Sequence, residues 1–203
     1  MPARLLAAFA AAVLAGGVGA AQAAAVAVLV TDAGGEPLND AVVTLEPAAG
    51  KVPVKPMAGV EIAQHHLAFD PAVTVVTVGT PVAFPNQDTV RHHVYSFSPA
   101  KTFQLKLYAG KPHDPVVFDK AGVAVLGCNI HDQMLAWVVV VDTPWFARSA
   151  AGGRARLDAV PPGAYQLRVW HPSLPEGVAP PAVPVTVGAA DLEQRVKLPG
   201  AAK

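Results

Sequence analysis

Gly127-Cys128-Asn129-Ile130-His131-Asp132-Gln133-Met134 contains the single cysteine of the 203-residue chain, with a histidine and then a methionine at three-residue steps. Thiolate, imidazole and thioether are together the donor set that suits a copper ion held for electron transfer. Such a site takes a second imidazole. Val90-Arg91-His92-His93-Val94 offers two candidates upstream. On a strand these two histidines point to opposite faces, so only one of them can readily serve as a ligand. The bland reading of a lone cysteine is a small buried apolar residue or half of an intermolecular disulfide. The neighbours of Cys128 are metal-ligand types at loop spacing, which favours the metal.

Around this loop the chain reads as strands and turns. Leu135 to Val141 is apolar and rich in β-branched residues, which suits a buried strand, and Pro144 breaks the run. On the other side, Val116-Val117-Phe118 and Val123-Ala124-Val125-Leu126 flank a turn at Ala121-Gly122. Phe103-Gln104-Leu105-Lys106-Leu107 alternates and predicts Phe103, Leu105 and Leu107 on one face. Strands are also expected over residues 92–97, 81–84 and 73–78, with a turn at 85–88. Nearer the N-terminus, residues 25–31 and 41–46 form a strand–turn–strand, and the proline-containing stretch 48–57 is a linker or loop. The tail gives strands over 154–157, 165–170, 183–187 and 192–198, separated by Pro161-Pro162-Gly163 and a proline-rich stretch from Pro172. Twenty prolines and seventeen glycines leave no room for a long helix beyond the leader. The class is all-β, built as sandwiches.

The first residues read as a targeting signal. Arg4 precedes an alanine-rich apolar run, and Ala21-Gln22-Ala23 has the small-x-small form of a signal-peptidase site. Residues 1–23 are therefore expected to be removed, and the apolar run is too short and too rich in alanine and glycine to span a membrane. An exported, periplasmic protein is implied. Without Arg4 the chain carries fourteen Lys+Arg against fifteen Asp+Glu and shows no basic stripe, so nucleic acid is not an expected partner. No serine sits in a nucleophile-elbow pattern, and Asp88, Asp119 and Asp132 read as turn residues rather than acid–base pairs. No enzymatic activity is expected. His65 and His66 read as neighbours on opposite strand faces, solvated rather than metal-bound; His113 and His171 read as surface or hydrogen-bonded groups.

Residues 60–142 resemble the cupredoxin family, the blue-copper domains that include plastocyanin and amicyanin. The resemblance rests on the strand–turn–strand from Phe118 to Cys128, on the short Cys128-x-x-His131-x-x-Met134 spacing of amicyanin-like members, and on the strand after it. Asn86, six residues ahead of His92, matches the family's first-histidine motif. The resemblance implies a Greek-key cupredoxin sandwich holding one type 1 copper through His92, Cys128, His131 and Met134, with Met134 as a weak axial ligand. It assigns His92 rather than His93 as ligand. His93 then occupies a position where many members carry an asparagine that braces the cysteine loop; this is a departure from the family pattern, and an imidazole N–H could do the bracing instead.

The flanks resemble a second family. The pattern from Val28 through Pro37-Leu38 to Leu45 is similar to the opening of carboxypeptidase-regulatory-like, immunoglobulin-type modules. Gly152-Gly153-Arg154 through Pro161-Pro162-Gly163 to Val169 is similar to their closing half. The expected organisation is residues 1–23 as leader, 24–49 as the first part of a smaller immunoglobulin-like sandwich, 50–143 as the cupredoxin domain, and 144–203 as the second part of the flanking module. The composite resembles methylamine-utilisation and plastocyanin-like periplasmic proteins, although nothing in the sequence points to methylamine. The resemblance implies a one-electron carrier with a redox protein partner, a cytochrome or a dehydrogenase. The alternatives are a copper storage or delivery protein, and a binding module with a structural copper. Only three methionines, one of them the initiator, argue against a delivery protein with open methionine-rich stretches.

Overall fold

Leu135 to Val141 is apolar at every position, which a strand needs only if both its faces are buried. The computed structural model describes residues 23–112, 114–175 and 178–199. In it five of the seven residues of this stretch are buried, including all of residues 138–141. Residues 1–22 of the expected leader, and His113, lie outside the described residues.

The described residues form strands and no helix. The first two strands are β1 (Ala24–Thr31) and β2 (Val42–Pro47). The central strands are β3 (Val60–Glu61), β4 (Ala63–His65), β5 (Ala68–Asp70), β6 (Val73–Thr77), β7 (Thr80–Ala83), β8 (His92–Ser98), β9 (Lys101–Tyr108), β10 (Val116–Phe118), β11 (Gly122–Cys128) and β12 (Leu135–Val141). The chain closes with β13 (Trp145–Arg148), β14 (Arg154–Val160), β15 (Gly163–Trp170), β16 (Ala182–Val187) and β17 (Leu192–Lys197). The all-β class expected from the sequence holds.

The central strands make a five-stranded sheet, β6-β12-β11-β8-β9, facing a three-stranded one, β10-β7-β3. One core fills the space between them, drawn from Val82 and Phe118 on the smaller sheet and Val94, Ala124, Leu126, Ala136 and Val138 on the larger. The flanking strands pair with one another across the central segment. β1 runs antiparallel to β14 and parallel to β17, and β2 lies between β13 and β15. Their two sheets enclose a separate core that includes Val28, Leu45, Leu157, Leu167 and Val185.

β12 lies between the two units. Its inner side, Ala136, Val138 and Val140, belongs to the central core. Its outer side, Val139 and Val141, packs with Val42 and Val73, against Phe146 and Trp170 of the flanking strands. Burying each such valine is worth about 1.5–3 kcal/mol. The Arg148 guanidinium donates to the Val73 carbonyl at 3.0 Å, and the Thr143 hydroxyl donates to the Leu45 carbonyl at 2.5 Å. The stretch before β3 has no strand, as expected, yet it is tied down: the Thr77 hydroxyl donates to the Lys55 carbonyl at 2.6 Å, and Met57 N–H donates to Thr80 Oγ1 at 2.9 Å.

Two strand-level expectations need correction. Trp145–Arg148 forms an edge strand beside β2 where the sequence reading placed only a break after Pro144. A proline immediately before the first residue of an edge strand removes no ladder hydrogen bond. Leu107 does not share the inward face with Phe103 and Leu105; it is 51% exposed. Val94 pairs with Leu105 but His92 pairs with Tyr108, so two residues of β9 oppose His93 alone. This β-bulge turns Leu107 outward and brings Tyr108 in.

Candidate metal centre

The four predicted ligands come from two places. His92 opens β8, which pairs with β11 through Cys128 and Val94, so the first histidine and the cysteine sit on neighbouring strands. Cys128 ends β11. The chain then turns through residues 129–133 and re-enters β12, with Met134 N–H donating to the His131 carbonyl at 2.9 Å. That turn folds three candidate ligands over the end of one sheet.

His92 Nδ1 lies 3.8 Å from Cys128 Sγ, and His131 Nδ1 lies 3.9 Å from it. All three donor atoms fall within 4.8 Å of one another, and among the described residues no other group of three His, Cys, Asp or Glu does so. Metal–sulfur and metal–nitrogen bonds of about 2.3 and 2.05 Å meeting at about 120° separate sulfur from nitrogen by about 3.8 Å. The spacing therefore fits one small metal ion between the three side chains. Cys128 and His92 are buried, His131 is half-buried, and Met134 is 1% exposed in the same core cluster as Cys128. A buried cysteine sulfur, two imidazoles and a thioether in the same core cluster are donor types that suit copper.

The loop ahead of His92 is more heavily built than a turn requires. Asn86, buried, accepts Asp88 N–H at 3.0 Å and donates from Nδ2 to the carbonyls of Val90 and Tyr108 at 2.8 and 3.0 Å. The Asp88 carboxylate lies 2.8 Å from His92 Nε2 and also accepts the N–H groups of His66 and Leu67. Burial pushes the Asp88 carboxyl upward, but hydrogen bonds from the His92 ring and from the Leu67 and His66 amides outweigh it and hold the group below the ordinary carboxylate value. Asp88 thus does more than the turn residue expected. Its i, i+4 spacing to His92 was the one available signal in the sequence.

His93 does not brace the cysteine loop. Its Nε2 is buried and has no hydrogen-bond partner among the described residues. Its ring meets Tyr95 edge-on at 5.9 Å on the outer face of β8. Tyr95 in turn lies across Gly127, where a Cβ would come within 2.8 Å of the phenol ring. Glycine before Cys128 is what lets this ring close against the strand. His65 and His66 are also not on opposite strand faces: their rings stack at 3.8 Å where the β4–β5 hairpin turns. His171 is hydrogen-bonded to Ser173 at 2.6 Å, as a structural histidine, and burial holds its pKa below the ordinary value.

Ile130 and Leu135, on either side of His131, are 48% and 45% exposed. They face solvent while Met134 between them faces the core. Asp132 is the one charged residue between Cys128 and Leu135.

No family model matches the chain, and no curated protein does. Among solved structures it is similar to a purple cupredoxin from Nitrosopumilus maritimus, at 22% identity and TM-score 0.36, over 41% of this chain and 100% of that one. It is also similar to a reduced Cu(I) form of an amicyanin variant, at 20% identity and TM-score 0.36, over 49% of this chain and 98% of that one. A copper-containing nitrite reductase from Thermus scotoductus SA-01 aligns at 21% identity and TM-score 0.39, over 55% of this chain. This chain spans only 28% of that enzyme's length. Among the described residues no helix is long and apolar enough to cross a membrane.

Proposed function

We propose that the protein is an exported, periplasmic type 1 copper protein that transfers single electrons between redox partners and has no enzymatic activity of its own. The observation that carries this reading is the convergence of His92, Cys128 and His131 within 4.8 Å. His92, Cys128 and His131 would hold the ion, with Met134 as the weak fourth donor. A copper ion held there would supply reversible one-electron chemistry. The chain's own contribution is rigidity and dryness. His92 is fixed at a strand end, three donors share one short turn, and the apolar core beneath Cys128 excludes water, so little moves when charge changes.

The half-buried His131 is the exit for electrons, and Ile130 and Leu135 make the surface around it apolar. Residues 60–142 carry five Lys+Arg and seven Asp+Glu, a mild excess of negative charge without a cluster. Electrostatic steering of a partner is accordingly weak, and a small transient interface with a cytochrome or dehydrogenase is favoured. Residues 24–49 and 144–203 form one immunoglobulin-like module into which the copper domain, 50–143, is inserted; the pairing of β1 with β14 and β17 supports this division.

Voltammetry of the copper-loaded protein tests the carrier reading. A reversible one-electron wave that disappears in Cys128→Ser is expected. Loaded protein that exchanges electrons with no donor or acceptor, yet yields its copper readily to an apo-cuproenzyme, would replace the carrier with a copper-delivery protein.

A further inference from the structure

Asp88 sits where two otherwise unrelated features meet. The first is the hairpin turn between β4 and β5. His66 and Leu67 both have left-handed backbones, at φ 52° and 57°. A two-residue hairpin turn of this kind favours Asn-Gly, and for a residue with a Cβ the left-handed region costs about 1–2 kcal/mol. The two N–H groups of this turn both donate to Asp88, His66 to Oδ1 at 2.7 Å and Leu67 to Oδ2 at 3.1 Å. The second feature is His92, whose side chain is fully buried and whose Nε2 lies 2.8 Å from the same Oδ2. Asn86 closes the arrangement from behind by accepting the N–H of Asp88.

An imidazole has one N–H and one lone pair when neutral, and its neighbours decide which nitrogen carries which. A carboxylate can only accept, so it draws the proton to His92 Nε2. That leaves the lone pair on Nδ1, the nitrogen 3.8 Å from Cys128 Sγ. The carboxylate cannot rotate away, because two turn amides hold it. The turn, in turn, keeps its unfavourable backbone because those amides find a charged acceptor.

We propose that Asp88 is a positioning residue: clamped by the His66–Leu67 turn, it fixes the tautomer and tilt of the His92 ring before any ion binds. The clamp makes the β4–β5 hairpin part of the metal site although it supplies no ligand. The importance of this for function rests on the reading of His92 as a copper ligand; the tautomer itself does not.

The test uses the full-length apo-protein labelled with 15N at histidine, read by long-range 1H–15N spectra at neutral to mildly alkaline pH. Wild type should show His92 as the Nε2–H tautomer alone. Asp88→Asn, whose amide cannot accept from all three donors, and Asp88→Ala should each show the Nδ1–H form or a mixture. Amide exchange at His66 and Leu67 should speed up in both variants. Cu(II) affinity should fall by about 10–100-fold, the usual effect of losing a carboxylate behind a ligating histidine. Should either variant fail to fold, Leu67→Gly supplies a background that relieves the turn, and the same tautomer change is expected there. A folded Asp88→Asn or Asp88→Ala protein that keeps His92 wholly as Nε2–H overturns the proposal. A wild type with the expected tautomer that binds no Cu(II) would instead count against the copper reading and support the role of Asp88.

Discussion

Tyr108→Phe removes one hydroxyl and nothing else. That hydroxyl lies 2.6 Å from Gln64 Oε1 and 2.8 Å from the Phe84 carbonyl, and Gln64 is fully buried. It joins the bulged strand β9 to β4, the strand that leads into the turn behind the metal centre. Orphaning a buried acceptor costs about 1–3 kcal/mol, so about 2 kcal/mol is expected here. In a chain of this size each kcal/mol moves the midpoint by about 2–4 °C, giving a drop of about 4–8 °C by calorimetry of the apo-protein. Gln64→Leu combined with Tyr108→Phe leaves no Gln64 orphan, and the pair should show a coupling of about 1–2 kcal/mol. Alkaline titration adds an independent readout. Burial pushes the Tyr108 phenol well above its ordinary value, so the folded state keeps a proton that the unfolded chain releases. The stabilisation is complete below about pH 10, where a free phenol ionises, and is lost as pH rises beyond it. Tyr108→Phe should make that alkaline loss shallower. A variant within about 0.5 kcal/mol of wild type, with an unchanged alkaline slope, refutes the reasoning.

His92→Gly should lose the thiolate-to-copper absorption and recover it with added imidazole, whereas His93→Asn keeps it and changes unfolding free energy by no more than about 0.5 kcal/mol, because no hydrogen bond is lost at its Nε2. Leu126→Ala and Leu167→Ala should each cost about 2–5 kcal/mol, being fully buried in different cores. Isothermal titration should show weaker Cu(II) uptake only for Leu126→Ala; loss of uptake in Leu167→Ala would show that the two units do not stand apart. Ile130→Glu should leave the copper spectrum intact and slow electron exchange with a cytochrome in stopped flow, while the wild-type rate changes little with ionic strength; an unchanged rate would move the docking surface elsewhere.

What the sequence made legible was local. Cys128, His131 and Met134 lie within seven residues, so their chemistry could be read directly, and strands such as Val73–Thr77 and Leu135–Val141 announced themselves by β-branched runs. His92 needed the family motif, since alternation alone could not choose between it and His93. What escaped depends on distant partners. Asp88 reads as a turn residue until the hairpin at residues 65–68, which lies some twenty residues earlier, is folded against it. His93 does not reach the cysteine loop because alternation along β8 sends it to the face opposite His92, against Tyr95. Leu107 was misplaced because alternation assumes an unbroken pleat, and the bulge opposite His93 breaks it. The continuous apolar run of β12 signalled burial on both faces but not that the second cover comes from residues such as Val42 and Trp170, far apart in the chain.

The central claim is that Cys128 binds copper as a thiolate between two imidazoles. Visible absorption of the apo-protein titrated with Cu(II) tests it most directly. The account predicts an intense thiolate-to-copper band that saturates at one copper per chain and is absent in Cys128→Ser. One tightly bound Cu(II) per chain in colourless wild-type protein would contradict it.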